Sequence, residues 1–125
     1  MNNLILLVEN ESSWSPLVWA VERGGEVMED GRVVIDNSQG WLAIHHDQSV
    51  LDDFDNEEKA QALAALVAPA IFVVEWQGDA LIETFVKAVP SDCRAFVDND
   101  RAAFAPIALL QSLPFPAWAR AVAWP

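Results

Sequence analysis

A chain of 125 residues, 53% of them apolar and including six Trp and six Phe, is long enough for one two-layer core and too apolar to stay disordered. Its formal charge of −12, from nineteen acids against seven bases, argues against binding DNA, RNA or an anionic membrane surface. Cys93 is the single cysteine, so neither an internal disulfide nor a cysteine-built zinc site is available; no apolar run approaches the roughly 20 residues of a membrane helix, and MNNLILLVEN lacks the basic start of a signal peptide. The expectation is a reduced, cytoplasmic, soluble protein of one domain spanning residues 1–125.

Leu4–Glu9, LILLVE, reads as a buried strand, followed by a polar break over Asn10–Ser13. Ser15-Pro16 has the form of a helix start, with Ser at the N-cap and Pro at the first helical position. In that register Trp14 precedes the cap and Trp19 is the fourth helical residue, the spacing of a hydrophobic staple. Gly24-Gly25 supply the left-handed turn that ends the helix.

Val27–Glu29 and Arg32–Ile35 flank Asp30-Gly31, the strongest hairpin signal in the chain. A second turn, Asn37–Gly40, leads into Trp41–Asp47, where Leu42, Ile44 and His46 alternate with Trp41, Ala43 and His45. This predicts an antiparallel meander with one side on the core, after which 47–55 loops out. Asp55 and Glu58 form a capping box for a helix through Ala68, with a buried stripe of Ala60, Leu63, Leu66 and Val67.

Ala70–Trp76, AIFVVEW, is the strongest candidate for the centre of the fold. Six of its seven residues are apolar, as in a strand covered on both faces in a parallel or mixed sheet. Leu81, Ile82, Phe85, Val86 and Val89 then give a helical stripe, and Cys93–Val97 a strand, so 70–98 reads as a compact, parallel β-α-β unit. Beyond Arg101 the spacing predicts a short edge strand or turn of helix near 103–112 and a last short helix near 117–123. Together these elements predict an α+β domain: a mixed sheet with an antiparallel meander and a C-terminal β-α-β unit, helices packed on the sheet, and Phe72, Val74, Leu63, Phe85 and Val89 in one core.

Chemistry has three candidate places. Glu75, Asp79, Asp98 and Asp100 fall near the C-terminal ends of two strands expected to be parallel, and such oxygen ligands suit Mg²⁺; with no phosphate loop or catalytic lysine beside them, turn chemistry is the favoured reading of Asp98-Asn99-Asp100. His45 and His46 are adjacent on a strand, point to opposite faces and so cannot share a metal, and no G-x-S-x-G or paired cysteine accompanies them. The third place is the acid run.

Residues 1–58 hold thirteen acids and two bases, and their densest part is Asp47, Asp52, Asp53, Asp55, Glu57 and Glu58. That run lacks the spacing and glycine of a calcium loop. It reads either as a solvated loop and helix start or as a docking surface for a basic protein, with Leu51, Phe54 and Trp41 as apolar anchors among the charges. If it is a docking surface, its unpaired carboxylates repel one another and titrate high.

No motif identifies a family. The favoured reading is a binding module that needs no cofactor and has a basic protein partner, such as an immunity-type inhibitor of a nuclease toxin; self-association is compatible with it. The alternative is a small metal-assisted enzyme using Glu75, Asp79, Asp98 and Asp100.

Overall fold

The computed structural model describes residues 2–9, 14–53, 69–98 and 104–111, together with Glu57, Ala60, Ala64 and Leu66. In chain order its elements are β1 (Asn2–Val8), α1 (Pro16–Glu22), β2 (Glu26–Val27), β3 (Val33–Asn37), β4 (Gly40–His46), α2 (Val50–Asp53), β5 (Ala70–Gln77), α3 (Asp79–Ala88), β6 (Ala95–Asp98), β7 (Phe104–Pro106) and α4 (Ile107–Gln111).

Local chemistry sets α1 as its sequence predicts. Ser15 is extended (φ −124°, ψ 127°) and its side chain accepts from the Val18 N–H, while Pro16 fills the first helical position. At the far end Gly24, with φ 86°, turns the chain. Its N–H donates to the Val21 carbonyl and that of Gly25 to the Ala20 carbonyl, the two bonds of a Schellman ending. Both staple residues meet the same ring: Phe85 of α3 lies 6.1 Å from Trp14 and 5.2 Å from Trp19, centroid to centroid.

The first hairpin forms with a loop one residue longer than Asp30-Gly31 alone. Gly31 N–H donates to the Met28 carbonyl and Met28 N–H to the Arg32 carbonyl, so a turn over Met28–Gly31 ends in a left-handed Gly31 (φ 91°). The Asp30 carboxylate fixes it by accepting from both the backbone N–H (3.1 Å) and Nε (2.8 Å) of Arg32. Ser38 and Gln39 make the second turn, closed by the Asn37↔Gly40 pair.

The strands form one seven-stranded sheet in the order β2-β3-β4-β5-β1-β6-β7. Every pairing in it is antiparallel, so the expected mixed sheet is not what forms. Strands β5 and β6 run in the same direction, but β1 lies between them and opposes both. The apolar run of β5 suggested parallel neighbours because it is buried on both faces. That burial has another origin here.

On one face Leu4, Leu6, Ile44, Phe72, Val74 and Val97 pack beneath α1, α3 and α4 in a single cluster that also holds Phe85 and Val89. On the other, Val50 and Leu66 cover Leu7 and Ile71. An antiparallel sheet covered on both sides has central strands as apolar as a parallel one.

Three further expectations shift. The loop after β4 contains the short helix α2. Glu57, Ala60 and Ala64 are helical, but Leu66 stands at a bend where the helix was expected to continue; Ala60 is exposed rather than in the buried stripe. The last strand of the core is Ala95–Asp98, because Cys93 belongs to a turn in which its N–H donates to the Pro90 carbonyl. The Asp55–Glu58 box, Leu63 and the helix near 117–123 lie outside the described residues. No helix among the described residues is long and apolar enough to cross a membrane.

Phe85 has no exposed surface and holds Trp14, just before α1, and Trp19 within it. Phe85→Ala should cost about 3–5 kcal/mol in chemical denaturation. A midpoint unchanged from that of the parent would show that α1 is not anchored through this ring.

Candidate functional site

The antiparallel order brings the C-terminal ends of β1 and β4 and the N-terminal ends of β5 and β6 to one end of the sheet. The N-terminus of α1 sits over that end, and a cavity of about 280 Å³ opens between them. Val8, Leu17, Ala70 and Phe72 form its apolar walls, and Glu9, Trp14, Ser15 and His46 bring polar groups to it.

The register explains the opening. His46, Phe72 and Leu6 stand in one row across β4, β5 and β1, and the next row contains Val8 and Ala70. On the β4 side that row is left without a strand residue, because the chain turns away at Asp47 after its N–H donates to the Ile71 carbonyl. Gln48 closes the ladder with its side chain. Its Nε2 donates to the Pro69 carbonyl (2.7 Å) and its Oε1 accepts from the Ile71 N–H (3.1 Å). The His46 ring, 5.1 Å from Phe72, has its Nε2 3.2 Å from the same Oε1.

Serine, histidine and a carboxylate around one cavity are the residue types of a nucleophilic relay. The bonding differs from one. Ser15 Oγ caps α1, His46 meets Gln48, and Glu9 Oε1 meets Arg94 Nη1 at 3.8 Å; among the described residues no hydrogen bond joins the three. These bonds tie each of the three to a different neighbour and make no relay.

A second groove, along the outer side of α1, is lined by Trp14, Val18, Trp19 and Glu22. Leu17 and Ala20 face the core, yet Val18 is 55% exposed and Val21 47%. Positions 14, 18 and 21 form a second apolar stripe on the solvent side. Val27, also exposed, is opposite Val33 on the same face of the sheet. Glu22 lines this groove, and Arg23 lies with its guanidinium 5.4 Å from the Trp19 ring centre.

The acid run begins where the cavity ends. Asp47 is a turn residue: its Oδ1 accepts from the Ser49 N–H (3.1 Å) and the Ser49 hydroxyl, at the entry to α2. The Ser49 hydroxyl, helped by its N–H and by the charges of His45 and His46, holds the Asp47 carboxyl below its ordinary value of 3.8, opposite to the rise expected of an unpaired member of the run. Asp52 and Glu57 are exposed; Leu51 and Asp53 belong to α2, and Phe54, Asp55 and Glu58 lie outside the described residues.

The structure does not gather the acids of the metal reading. Glu75 is half-buried on the sheet face away from α1 and α3, and Asp98, 3% exposed, is on that same face, but β1 runs between their strands, about 10 Å in all. Asp79 starts α3, and Asp100 lies outside the described residues. Among the described residues no three His, Cys, Asp or Glu side chains come together to hold a metal ion. The two histidines do point to opposite faces, His45 half-buried and His46 exposed.

The expectation of a ligand site at the C-terminal end of β5 rested on parallel neighbours; with antiparallel ones each sheet end mixes both kinds of strand terminus, and this cavity is at the N-terminal end of β5. The reading by residue type missed Glu9, Ser15, Val18 and the second role of Trp14. The spacing 14, 18, 21, set against 17 and 20, was the available signal. Comparison with protein-family models, with curated proteins and with solved structures finds no match.

Gln48→Ala removes both side-chain bonds to the end of β5 and should cost about 1–2 kcal/mol, with faster hydrogen exchange at the Ile71 amide. Exchange at Ile71 matching that of the parent would refute the capping role.

The depressed pKa of Asp47 sets a second expectation. Its stabilising contribution is complete above the unfolded value of 3.8 and is lost as pH falls through the lower folded value. Asp47→Asn keeps an acceptor oxygen but cannot titrate, so the stability gap between parent and variant should narrow on acidification below 3.8. A gap independent of pH there would rule out this carboxylate as the source.

Proposed function

We propose that this chain is a small acidic, cytoplasmic protein-binding module whose partner is a basic protein, and that it acts as an immunity-type inhibitor that occupies the positively charged active site of a toxin such as a nuclease. The observation that carries this reading is α1. A helix of seven residues with caps at both ends carries apolar side chains all round, and its outward ones, Val18 and Val21, stay in water, with Glu22 beside them. Apolar anchors within a charged rim are how protein interfaces are built, with Trp prominent among the residues that contribute most.

The acid run supplies the other half of the reading. Asp52 and Glu57 face solvent on the segment that follows β4, on the side of the sheet covered by Val50 and Leu66. Charge of this sign speeds encounter with a basic surface, while the apolar anchors slow departure. Nuclease active sites are basic because they hold phosphates, which makes them natural targets for an acidic blocker.

Affinity capture from the source cell, with the bound proteins identified, tests this in three forms of the chain. The parent should retain a basic protein in low salt. Replacing Asp52, Asp53 and Asp55 together with Asn should slow its association, and Val18→Ser with Val21→Ser should speed its dissociation, with melting unchanged in both. If the retained protein is acidic, or a basic one is held equally by all three forms, the module reading is wrong.

A further inference from the structure

We infer that the sheet face opposite α1, around Trp41 and Glu75, is a docking surface that receives the cationic side chains of the basic partner; this rests on the module reading above. Trp41 carries the argument. Of the described tryptophans, Trp14, Trp19 and Trp76 belong to the core cluster on the α1 side, whereas Trp41 is half-buried and packs in neither cluster. Among the described residues neither Trp41 nor the half-buried Glu75 has a hydrogen-bond, ion-pair or ring partner. An aromatic face and a carboxylate are the two groups that hold a lysine or arginine head.

The register puts them together. Leu42 and Ile44 face the core cluster, so Trp41 and Ala43 face the other way. Glu75 is directly opposite Ala43 and is therefore the diagonal neighbour of Trp41, about 7–8 Å away, a span that one long side chain bridges. Among the described residues, Val50 and Leu66 cover this face over Leu7 and Ile71, short of Trp41.

The charge here has one sign. Glu26, opposite Val34, and Asp36, opposite Trp41, share the face with Glu75, and β2 to β5 contain no lysine or arginine. Arg32, beside this hairpin, is paired with Asp30 at 2.8 Å. Because α1 packs on β3 and β4 from the other side, its outward stripe and Trp41 flank the same end of the sheet, where one partner reaches both.

A second copy is a poor source of the cations. Residues 59–125 hold five bases, but six acids accompany them; Lys87 is paired with Glu83 at 3.0 Å and Arg94 with Glu9 at 3.8 Å. Residues 1–58 bring thirteen acids with two bases, so either half of a copy arrives with more acids than bases.

The test is an NMR titration of the whole chain with tetra-arginine as the probe, and tetralysine and neutral tetracitrulline as further arms. Tetra-arginine should shift the Trp41 indole N–H and the Val73 methyl signals saturably. Tetralysine should bind less well, because a planar cation stacks on an indole, and tetracitrulline hardly at all. Glu75→Gln and Trp41→Leu should each weaken tetra-arginine by roughly two- to fivefold. Glu22→Gln removes the same charge on the α1 side and should leave the affinity unchanged.

Shifts that bypass Trp41, an equal response to tetracitrulline, or the same weakening in Glu22→Gln as in Glu75→Gln would overturn the proposal. A dimer in sedimentation that Trp41→Leu dissolves would overturn it too, as a face for self-association. Probe and partner capture fail separately. Tetra-arginine bound at Trp41 with no basic protein captured refutes the module reading alone, whereas a captured basic protein held equally by the parent, Trp41→Leu and Glu75→Gln refutes this docking face alone.

Discussion

Everything in this fold depends on β1 finding its place between β5 and β6. All seven of its residues pair with β5, from Asn2↔Trp76 to Val8↔Ala70, and four of them also pair with β6. Leu6 and Leu7 point to opposite faces and neither has any exposed surface, so the strand is sealed above and below as well as on both edges. Its partners are far along the chain. The meander β2–β4 joins sequence neighbours through short loops, whereas β5 pairs with β4 only after a connection over 47–69, and the centre of the sheet cannot form until residues up to 98 are available.

The same insertion creates the pocket. Because β1 opposes both neighbours, its C-terminal end lies beside the starts of β5 and β6, and α1, leaving β1 after a short connection, begins above that end. The staple residues then do two things. Trp14 and Trp19 fasten the helix to Phe85 on one side and line a cavity and a groove on the other. A helix this short takes its stability from packing rather than from propensity, so its position follows Phe85 closely.

What was legible in the sequence is what short range decides. Ser15-Pro16, Gly24-Gly25, Gly31 and Asn37–Gly40 each act within a few residues of themselves, and the structure has the caps and turns they imply. The apolar runs of β1 and β5 were legible as buried strands, but their direction was not. Period and composition report how many faces are covered, and Val50 and Leu66 can cover the second face of an antiparallel sheet as well as a crossover helix can. The cavity was illegible for the same reason: Glu9, Ser15, His46 and Phe72 meet through strand order alone. Of the acid run, the charge was visible, while the use of Asp47 as a turn acceptor for Ser49 depends on where β4 ends.

The outward stripe of α1 raises the question of which surface would cover it. In a two-fold dimer each patch meets its own copy, so acids on the rim face acids. Glu22 lines the groove beside the stripe, Arg23 is turned onto Trp19 and Arg32 is held by Asp30, and the first 58 residues carry thirteen acids against those two bases. Bringing two such faces together would place like charges well within a Debye length of about 8 Å, in a setting that also strips their water. The apolar gain from two valines and the edge of a tryptophan is a few kcal/mol at most. A basic partner gains that same apolar contact and has the charge in its favour. The proposed basic partner would meet the stripe without that cost.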